Sequence, residues 1–184
     1  MSKILILLDT INYTTYKGNP HFRHLCLNQH YESALEFKKK YPLTTIIRNN
    51  YKVALNKFIS TSENKQLIIV YCGHGNPQEW CIGISRNYLL TTLNKISNPI
   101  LIVSDSCYSD TMNIANSRKN TKFISAARST GINSSAYFTS EGGYLSCAFY
   151  KWYPRDFKIL WQKILSEYYD DGGSNNHQPK LFGE

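Results

Sequence analysis

Residues 66–75, QLIIVYCGHG, form an apolar run that ends in a histidine, and residues 99–109, PILIVSDSCYS, form a second run that ends in a cysteine. Short apolar runs bounded by turn residues are typical of buried strands in a parallel sheet. Such sheets present their ligand-binding residues just beyond the carboxyl ends of the strands. If the two runs are neighbouring strands, His74 and Cys107 lie side by side at one edge of the sheet.

A thiol within reach of an imidazole can be held as a thiolate, the form that attacks a carbonyl carbon. Each residue alone has a simpler interpretation. A cysteine at the end of a strand is commonly a small buried apolar side chain, and a His-Gly pair by itself is equally weak evidence. The joint pattern, Gly-His-Gly after one run and Asp-Ser-Cys after the next, favours a paired site of His74 and Cys107.

Both motifs resemble those of caspase-like cysteine peptidases. Tyr71–Gly75 is similar to the histidine motif of that family, usually Tyr-x-Gly-His-Gly, and Asp105–Ser109 is similar to its cysteine motif. The Asp-x-Cys form is closer to metacaspases than to animal caspases. Three further stretches fit the family, namely Lys3–Leu8 as the opening strand, Phe123–Ala127 as the strand after the cysteine, and Gln178–Leu181 near the end.

The resemblance covers nearly the whole chain. It implies a single caspase-like catalytic domain over residues 1–184, closest to a minimal metacaspase. The implied fold is an α/β fold, a caspase-like three-layer α-β-α sandwich with a mostly parallel central sheet.

Apolar periodicity independently predicts alternating strands and helices, the order of a mostly parallel sheet covered on both faces. Besides the two runs above, the predicted strands are Lys3–Leu8, Leu43–Arg48 and Lys122–Ala126, with an edge strand around Lys180–Phe182. The predicted helices are His30–Tyr41, Tyr51–Ser62, Arg86–Ser97, Asp110–Asn116, Tyr144–Lys151 and Arg155–Tyr168. The tail at residues 170–176 has a loop-like composition.

The composition suits one soluble domain. The chain has 184 residues, 42% of them hydrophobic, which is enough for a sizeable core. Its first residues lack the apolar length of a signal peptide, and no later run approaches the about 20 apolar residues of a membrane span. The five cysteines form no Cys-x-x-Cys pair, which favours a reducing compartment. We therefore expect a soluble, intracellular, cytoplasmic protein without a membrane partner.

The net charge of +8 suits a nucleic-acid partner, but the basic residues are scattered. Lys38–Lys40 ends a predicted helix, where cations are favourable, and the 14 tyrosines do not alternate with basic residues as a base-stacking surface requires. Nucleic-acid binding is thus a minor alternative to protein or peptide substrates.

A zinc site beside Cys72-Gly73-His74 would need a second ligand pair, which none of the histidines supplies. The chemistry demands no cofactor and no metal.

In the expected mechanism Cys107 attacks the scissile carbonyl as a thiolate, while His74 takes up the thiol proton and later donates it to the leaving amine. This is acyl transfer by a cysteine endopeptidase. The tetrahedral oxyanion needs preorganised hydrogen-bond donors. We expect them to be the backbone amides of Gly75, which has no side chain to block close approach, and of Cys107, at the start of a predicted helix.

The substrate preference comes from the resemblance. In metacaspases the aspartate two residues before the cysteine lies in the primary specificity pocket, and Asp105 occupies that position. The resemblance therefore implies cleavage after Arg or Lys, because a carboxylate pairs with such a cation. The alternative is that Asp105 caps the helix after its strand. Basic specificity would also make Arg118-Lys119 a possible self-cleavage site, although the pair equally suits a solvated turn.

Three features depart from the family pattern. Asp110 stands where the family usually has glycine, and a carboxylate so close to Cys107 could disfavour its thiolate. Cys107 follows His74 by only 33 residues, with Glu79 the only acidic residue before Asp105, so calcium activation through an acidic cluster is not expected. A second acidic pocket residue has no match. Asp110 favours an alternative function, a catalytically silent homologue that binds a peptide or a protease as a decoy or scaffold.

Overall fold

The computed structural model describes residues 2–9, 27–127, 136, 138–139, 142–170 and 178–183. Six strands form the central sheet in the order β10, β7, β6, β3, β1, β2. They are β1 (Lys3–Leu8), β2 (Thr44–Ile47), β3 (Leu67–Cys72), β6 (Ile100–Asp105), β7 (Thr121–Ser125) and β10 (Lys180–Phe182). All neighbours pair in parallel except β10, which pairs antiparallel with β7 at one edge. The expected mostly parallel sheet is confirmed.

Helices cover both faces of this sheet. One face carries α1 (Leu27–Lys40), α4 (Tyr144–Trp152) and α5 (Phe157–Asp170), and the other carries α2 (Tyr51–Ser60) and α3 (Arg86–Leu93). The side chains of β3 alternate between two buried apolar clusters, with Ile68 and Val70 in the first and Leu67 and Ile69 in the second. This is the period of two that a strand imposes. The three-layer α-β-α architecture is therefore confirmed.

Two short hairpins were not predicted. They pair β4 (Glu79–Trp80) with β5 (Ile84–Ser85), and β8 (Phe138–Thr139) with β9 (Gly142–Gly143). Strands of two residues are too short to show an alternation of apolar and polar side chains. The first hairpin follows the histidine motif, and the second leads directly into α4.

The predicted helix at Asp110–Asn116 is wrong. The chain instead forms one turn of 3-10 helix at Ser109–Met112. The side chain of Asn113 accepts a hydrogen bond from the amide of Ala115 at 2.8 Å, a local turn that competes with helix formation. The backbone leaves the helical conformation at this asparagine, which has φ −61° and ψ 121°.

Helix α3 ends at Leu93, earlier than the predicted end at Ser97. The guanidinium group of Arg118 occupies the space at this end of the helix. It donates hydrogen bonds to the carbonyls of Leu93, Ile96 and Asn98 at 3.2, 2.8 and 3.0 Å. Carbonyls at the end of a helix lack intrahelical partners and attract a cation. Arg118 therefore caps the last carbonyl of α3 and holds the turn that follows the helix.

The remaining elements differ from prediction by a few residues at their ends. Helix α1 begins at Leu27 rather than His30, and α5 ends at Asp170 rather than Tyr168. The edge strand at Lys180–Phe182 is confirmed. The predicted loop after residue 170 lies outside the described residues. Within the ranges given above, no helix is both long and apolar enough to cross a membrane.

Candidate functional site

Strands β3 and β6 are neighbours, and their register pairs Cys72 with Asp105. The amide of Gly73 donates to the carbonyl of Asp105 at 3.1 Å, so the pairing continues one residue beyond β3. His74 and Cys107 each follow this pair by two residues. The structure thus brings the two predicted residues to the same edge of the sheet, at the carboxyl ends of its strands.

The segments that carry His74 and Cys107 touch at Gly75. A methyl group on Gly75 would lie 2.2 Å from the carbonyl oxygen of Cys107 and 2.9 Å from the hydroxyl of Ser106. Both distances are well inside van der Waals contact, so only glycine lets the two backbones approach this closely. Gly75 therefore sets the spacing between the histidine segment and the cysteine segment.

The backbone of His74 is held by three hydrogen bonds. Its amide donates to the carboxylate of Asp9 at 3.2 Å, and its carbonyl accepts from the hydroxyl of Tyr71 and from the amide of Cys81. The residue is 9% exposed, and this burial lowers the pKa of His74 to about 4. At neutral pH the imidazole is therefore uncharged, the form that can take a proton from a thiol.

The β4–β5 hairpin supports the histidine segment through Trp80, a residue that the sequence analysis missed. Trp80 forms a β-bridge with Gly75 and stacks on Tyr71, with ring centroids 4.6 Å apart. Its indole Nε1 donates to the hydroxyl of Ser104 in β6 at 2.8 Å. The fully buried indole thus ties the histidine segment to the cysteine strand. The sequence offered one weak indication of this role, an isolated tryptophan followed three residues later by the turn glycine Gly83.

Cys107 lies in a tight turn between β6 and the 3-10 helix. The next residue, Tyr108, has a left-handed backbone with φ 53°, which is uncommon for a residue with a side chain and is often found at functional sites. The hydroxyl of Ser109 anchors the turn, because it accepts from the amide of Ala127 at 2.8 Å and donates to its carbonyl at 3.2 Å. Cys107 itself is half-buried, so it is partly open to solvent.

The two amides expected to bind an oxyanion differ in their setting. The bridge between Gly75 and Trp80 is made by the backbone groups on either side of these residues, so the amide of Gly75 takes no part in it. The amide of Cys107 precedes a four-residue 3-10 helix rather than the predicted α-helix. It therefore lacks the dipole support that a longer helix gives to its first turn.

Asp110 lies half-buried within this 3-10 helix. Its amide donates to the carbonyl of Ala127 at 3.2 Å, and its own carbonyl accepts from the amide of Asn113 at 3.1 Å. The backbone of Asp110 thus belongs to the anchor that holds the cysteine turn against the end of β7.

Asp105 is fully buried, and its carboxylate caps α4. Its Oδ2 accepts from the amide and the hydroxyl of Ser146 at 2.8 and 2.7 Å. Gly143, which precedes α4, has no side chain with which to cap it. The alternative that Asp105 caps the helix after its own strand is therefore wrong. Burial raises the pKa of Asp105 to about 6, against the opposing effect of the two Ser146 bonds.

A second cysteine–histidine contact, between His30 of α1 and Cys72 of β3, lies next to this carboxylate. The Nδ1 of His30 is 2.7 Å from the Sγ of Cys72, and both residues are buried. Burial lowers the pKa of His30 to about 4 and raises the pKa of the Cys72 thiol, so both are uncharged at neutral pH. Since 42 residues separate them, no sequence pattern could have linked them. In the described part of the chain, no three His, Cys, Asp or Glu side chains are grouped to hold a metal ion.

The possible self-cleavage site at Arg118-Lys119 lies in a turn, and its two residues differ in exposure. Arg118 is 7% exposed, and five hydrogen bonds hold its guanidinium group. A peptidase with basic preference must bind the side chain before the scissile bond, and the folded chain does not present Arg118 in this way. Lys119 is exposed.

Comparisons with known proteins support the fold. No family model matches the chain, and no curated protein sequence matches it. Among solved structures, the crystal structure of caspase-1 from Spodoptera frugiperda is similar, with a TM-score of 0.68 and 12% sequence identity. The match covers 98% of this chain and 85% of the insect chain. At this identity the likeness concerns the fold alone, and the chain has a caspase-like α/β fold.

Proposed function

We propose that the protein is a cysteine endopeptidase in which Cys107 is the nucleophile and His74 is the general base and acid. The contact between the histidine and cysteine segments at Gly75 carries this proposal. It places the segment with the uncharged imidazole of His74 beside the segment with the partly exposed thiol of Cys107, at the edge where parallel sheets hold their ligands. The Asp-x-Cys form of the second motif favours a metacaspase-like enzyme acting on proteins or peptides.

The chemistry follows from these roles. His74 takes the proton from the Cys107 thiol as Sγ attacks the carbonyl carbon, and the amides of Gly75 and Cys107 donate to the resulting oxyanion. The imidazolium then gives its proton to the leaving amine as the C–N bond breaks, which leaves a thioester. Water, deprotonated by His74, hydrolyses the thioester and restores the thiol. The low pKa of His74 makes its protonated form a strong acid for the leaving amine.

Asp105 supports a preference for Arg or Lys before the scissile bond. Its Oδ2 is occupied by Ser146, whereas its buried Oδ1 accepts no hydrogen bond from the described residues. A buried acceptor without a donor is costly, and the guanidinium or ammonium group of a substrate would supply one. Because Asp105 is fully buried, the groups that cover it must move to admit that side chain.

The test is hydrolysis of fluorogenic peptides with Arg, Lys, Asp or Leu before the scissile bond, with calcium and with a chelator. We expect wild-type protein to cleave after Arg and Lys with or without chelator, and Cys107→Ala to lose at least about 1,000-fold in kcat/KM. Cys147→Ala is the matched control, because this half-buried cysteine lies on α4. Cleavage that persists in Cys107→Ala would overturn the assignment of the nucleophile.

The complete burial of Asp105 in the folded chain favours one alternative, a silent homologue that binds a peptide or a protease. An acyloxymethyl ketone carrying Arg separates the two functions. The peptidase is labelled at Cys107, as mass spectrometry of the intact and digested protein would show. A silent homologue is not labelled there and cleaves no peptide of the panel.

A further inference from the structure

Four buried side chains on four different elements make a continuous series of contacts that ends at the specificity carboxylate. His30 Nδ1 lies 2.7 Å from Cys72 Sγ, and Cys72 Sγ lies 3.4 Å from the hydroxyl of Ser146. The Ser146 hydroxyl lies 2.7 Å from Oδ2 of Asp105. Neither His30 nor Cys72 has a place in the reaction proposed above, so their contacts need another explanation.

The protons in this series can be assigned a single direction. The amide of Gly143 lies 3.0 Å from Nε2 and 3.2 Å from Nδ1 of His30, and Cys72 Sγ lies 2.7 Å from Nδ1 and 3.4 Å from Nε2. We assign the acceptor to Nε2, the nitrogen nearer the amide, and the proton of the uncharged ring to Nδ1, the nitrogen nearer the sulfur. Nδ1 then donates to the sulfur of Cys72. The Ser146 hydroxyl has two acceptors in reach, Oδ2 of Asp105 at 2.7 Å and the carbonyl of Gly143 at 3.0 Å. We assign its proton to the nearer, charged oxygen of Asp105, and the Cys72 thiol then donates to the Ser146 oxygen. Every donor thus points towards the carboxylate.

We propose that His30, Cys72 and Ser146 form a directed hydrogen-bond chain that keeps Asp105 charged and oriented to receive the cationic side chain of a substrate. The proposal deepens the proposed function and rests on it for the role of the cation. His30 and Cys72 are positioning residues, since neither touches the substrate. Successive hydrogen bonds that point the same way strengthen one another, most of all in a buried site.

The groups around Asp105 leave the hydrogen-bond chain as the main stabiliser of its charge. Helix α4 presents the Ser146 amide and hydroxyl, Cys147 and Tyr150, and β3 and α1 present Cys72 and His30. None of these groups is a cation at neutral pH, because burial lowers the pKa of His30 to about 4. Among the residues that the structure describes, the charge of Asp105 is therefore compensated by hydrogen bonds rather than by an ion pair.

The first test measures the ionisation of Asp105 without using catalysis. We would record the melting temperature of wild type, Cys72→Ala and Ser146→Ala from pH 4 to 8.5, each also in the Asp105→Asn background. The difference between the two backgrounds isolates the titration of Asp105. In wild type this difference should level off near pH 6. In Ser146→Ala, which removes a charge-assisted bond to Asp105, its midpoint should move up by about one pH unit. In Cys72→Ala, which removes the donor behind that hydroxyl, the midpoint should move up by about half a unit.

Two further variants keep this test specific. Cys72→Ser retains one donor and one acceptor and should restore the wild-type midpoint. Tyr150→Phe removes a buried hydroxyl that faces the same carboxylate but accepts or donates no hydrogen bond in the described part of the chain, so it should leave the midpoint unchanged. An unchanged midpoint of the Asp105 titration in folded Cys72→Ala and Ser146→Ala would overturn the proposed hydrogen-bond chain.

The second test links the chain to substrate binding. For an Arg peptide, the kcat/KM of Cys72→Ala should fall about twofold at pH 6 and change little at pH 8.5, where Asp105 is ionised in both proteins. A loss that is equal at all pH values would mean general damage and would overturn the role in specificity. If the midpoint of the Asp105 titration shifted in a protein that cleaves no peptide, the result would contradict the proposed function but not the hydrogen-bond chain.

Discussion

At the scale of single residues, the site depends on a position that has no side chain. Gly75 lets the histidine segment rest against the carbonyl of Cys107, at a distance that a methyl group would reduce to 2.2 Å. Gly75→Ala must therefore push the two segments apart. Because a displacement of about 1 Å in a catalytic group can cost about 100-fold in rate, we expect kcat/KM for an Arg peptide to fall by at least that factor.

Gly83→Ala is the control for this change. The same methyl group there meets no atom within 4 Å, although the positive φ of 76° makes the backbone unfavourable for alanine. Gly83→Ala should lower the melting temperature through about 1 kcal/mol of strain while keeping its kcat/KM. Equal activity in the two variants would show that contact at Gly75 does not set the catalytic geometry.

At the scale of secondary-structure elements, Arg118 links the end of α3 to the connection before β7. Arg118→Ala leaves the carbonyls of Leu93, Ile96 and Asn98 without their charged donor. Hydrogen bonds to charged groups are worth more than neutral ones, so we expect a loss of about 3 kcal/mol, or about 9 °C in melting temperature. Lys119→Ala, at the exposed neighbouring position, should change stability by less than about 0.5 kcal/mol.

Elements of this fold could be predicted from sequence where a run of apolar residues and the residues that end it lie close together in the chain. The strands β1, β3 and β6 are apolar runs with clear ends, and their order placed His74 and Cys107 at one edge. The helix after Cys107 was wrong because Asn113 forms a local turn that composition does not reveal. The cap of α3 was missed because Arg118 is distant in sequence, and a basic residue in a polar stretch normally indicates an exposed turn.

At the scale of the whole molecule, the candidate site depends on contacts that join all three layers. Asp105 of the sheet caps α4, and His30 of α1 reaches Cys72 across the same face. On the opposite face, Trp80 ties the histidine segment to β6. None of these pairings has a sequence signature, since each joins residues brought together only by the parallel order of the strands. The motifs thus predicted which segments lie side by side, but not the contacts that support them.

These buried groups also predict how the stability of the whole molecule depends on pH. The pKa values of His30 and His74 fall from 6.5 to about 4 on folding, so each contributes stability at neutral pH that is lost as the pH falls from about 6.5 to 4. Asp105 has the opposite sign, because its pKa rises from 3.8 to about 6, and its protonation stabilises the fold over nearly the same range. Each group is worth about 3 kcal/mol, which leaves a net loss of about 3 kcal/mol on acidification.

The melting temperature should therefore fall by about 9 °C between pH 6.5 and pH 4. His74→Asn removes one destabilising titration and should make this fall smaller. Asp105→Asn removes the compensating titration among these three groups and should make the fall larger. Thermal unfolding of the three proteins across this range checks both signs. If Asp105→Asn melted with a shallower dependence on pH than wild type, the carboxylate would have to be ionised more easily in the folded chain than in the unfolded one, and its burial would not control its charge.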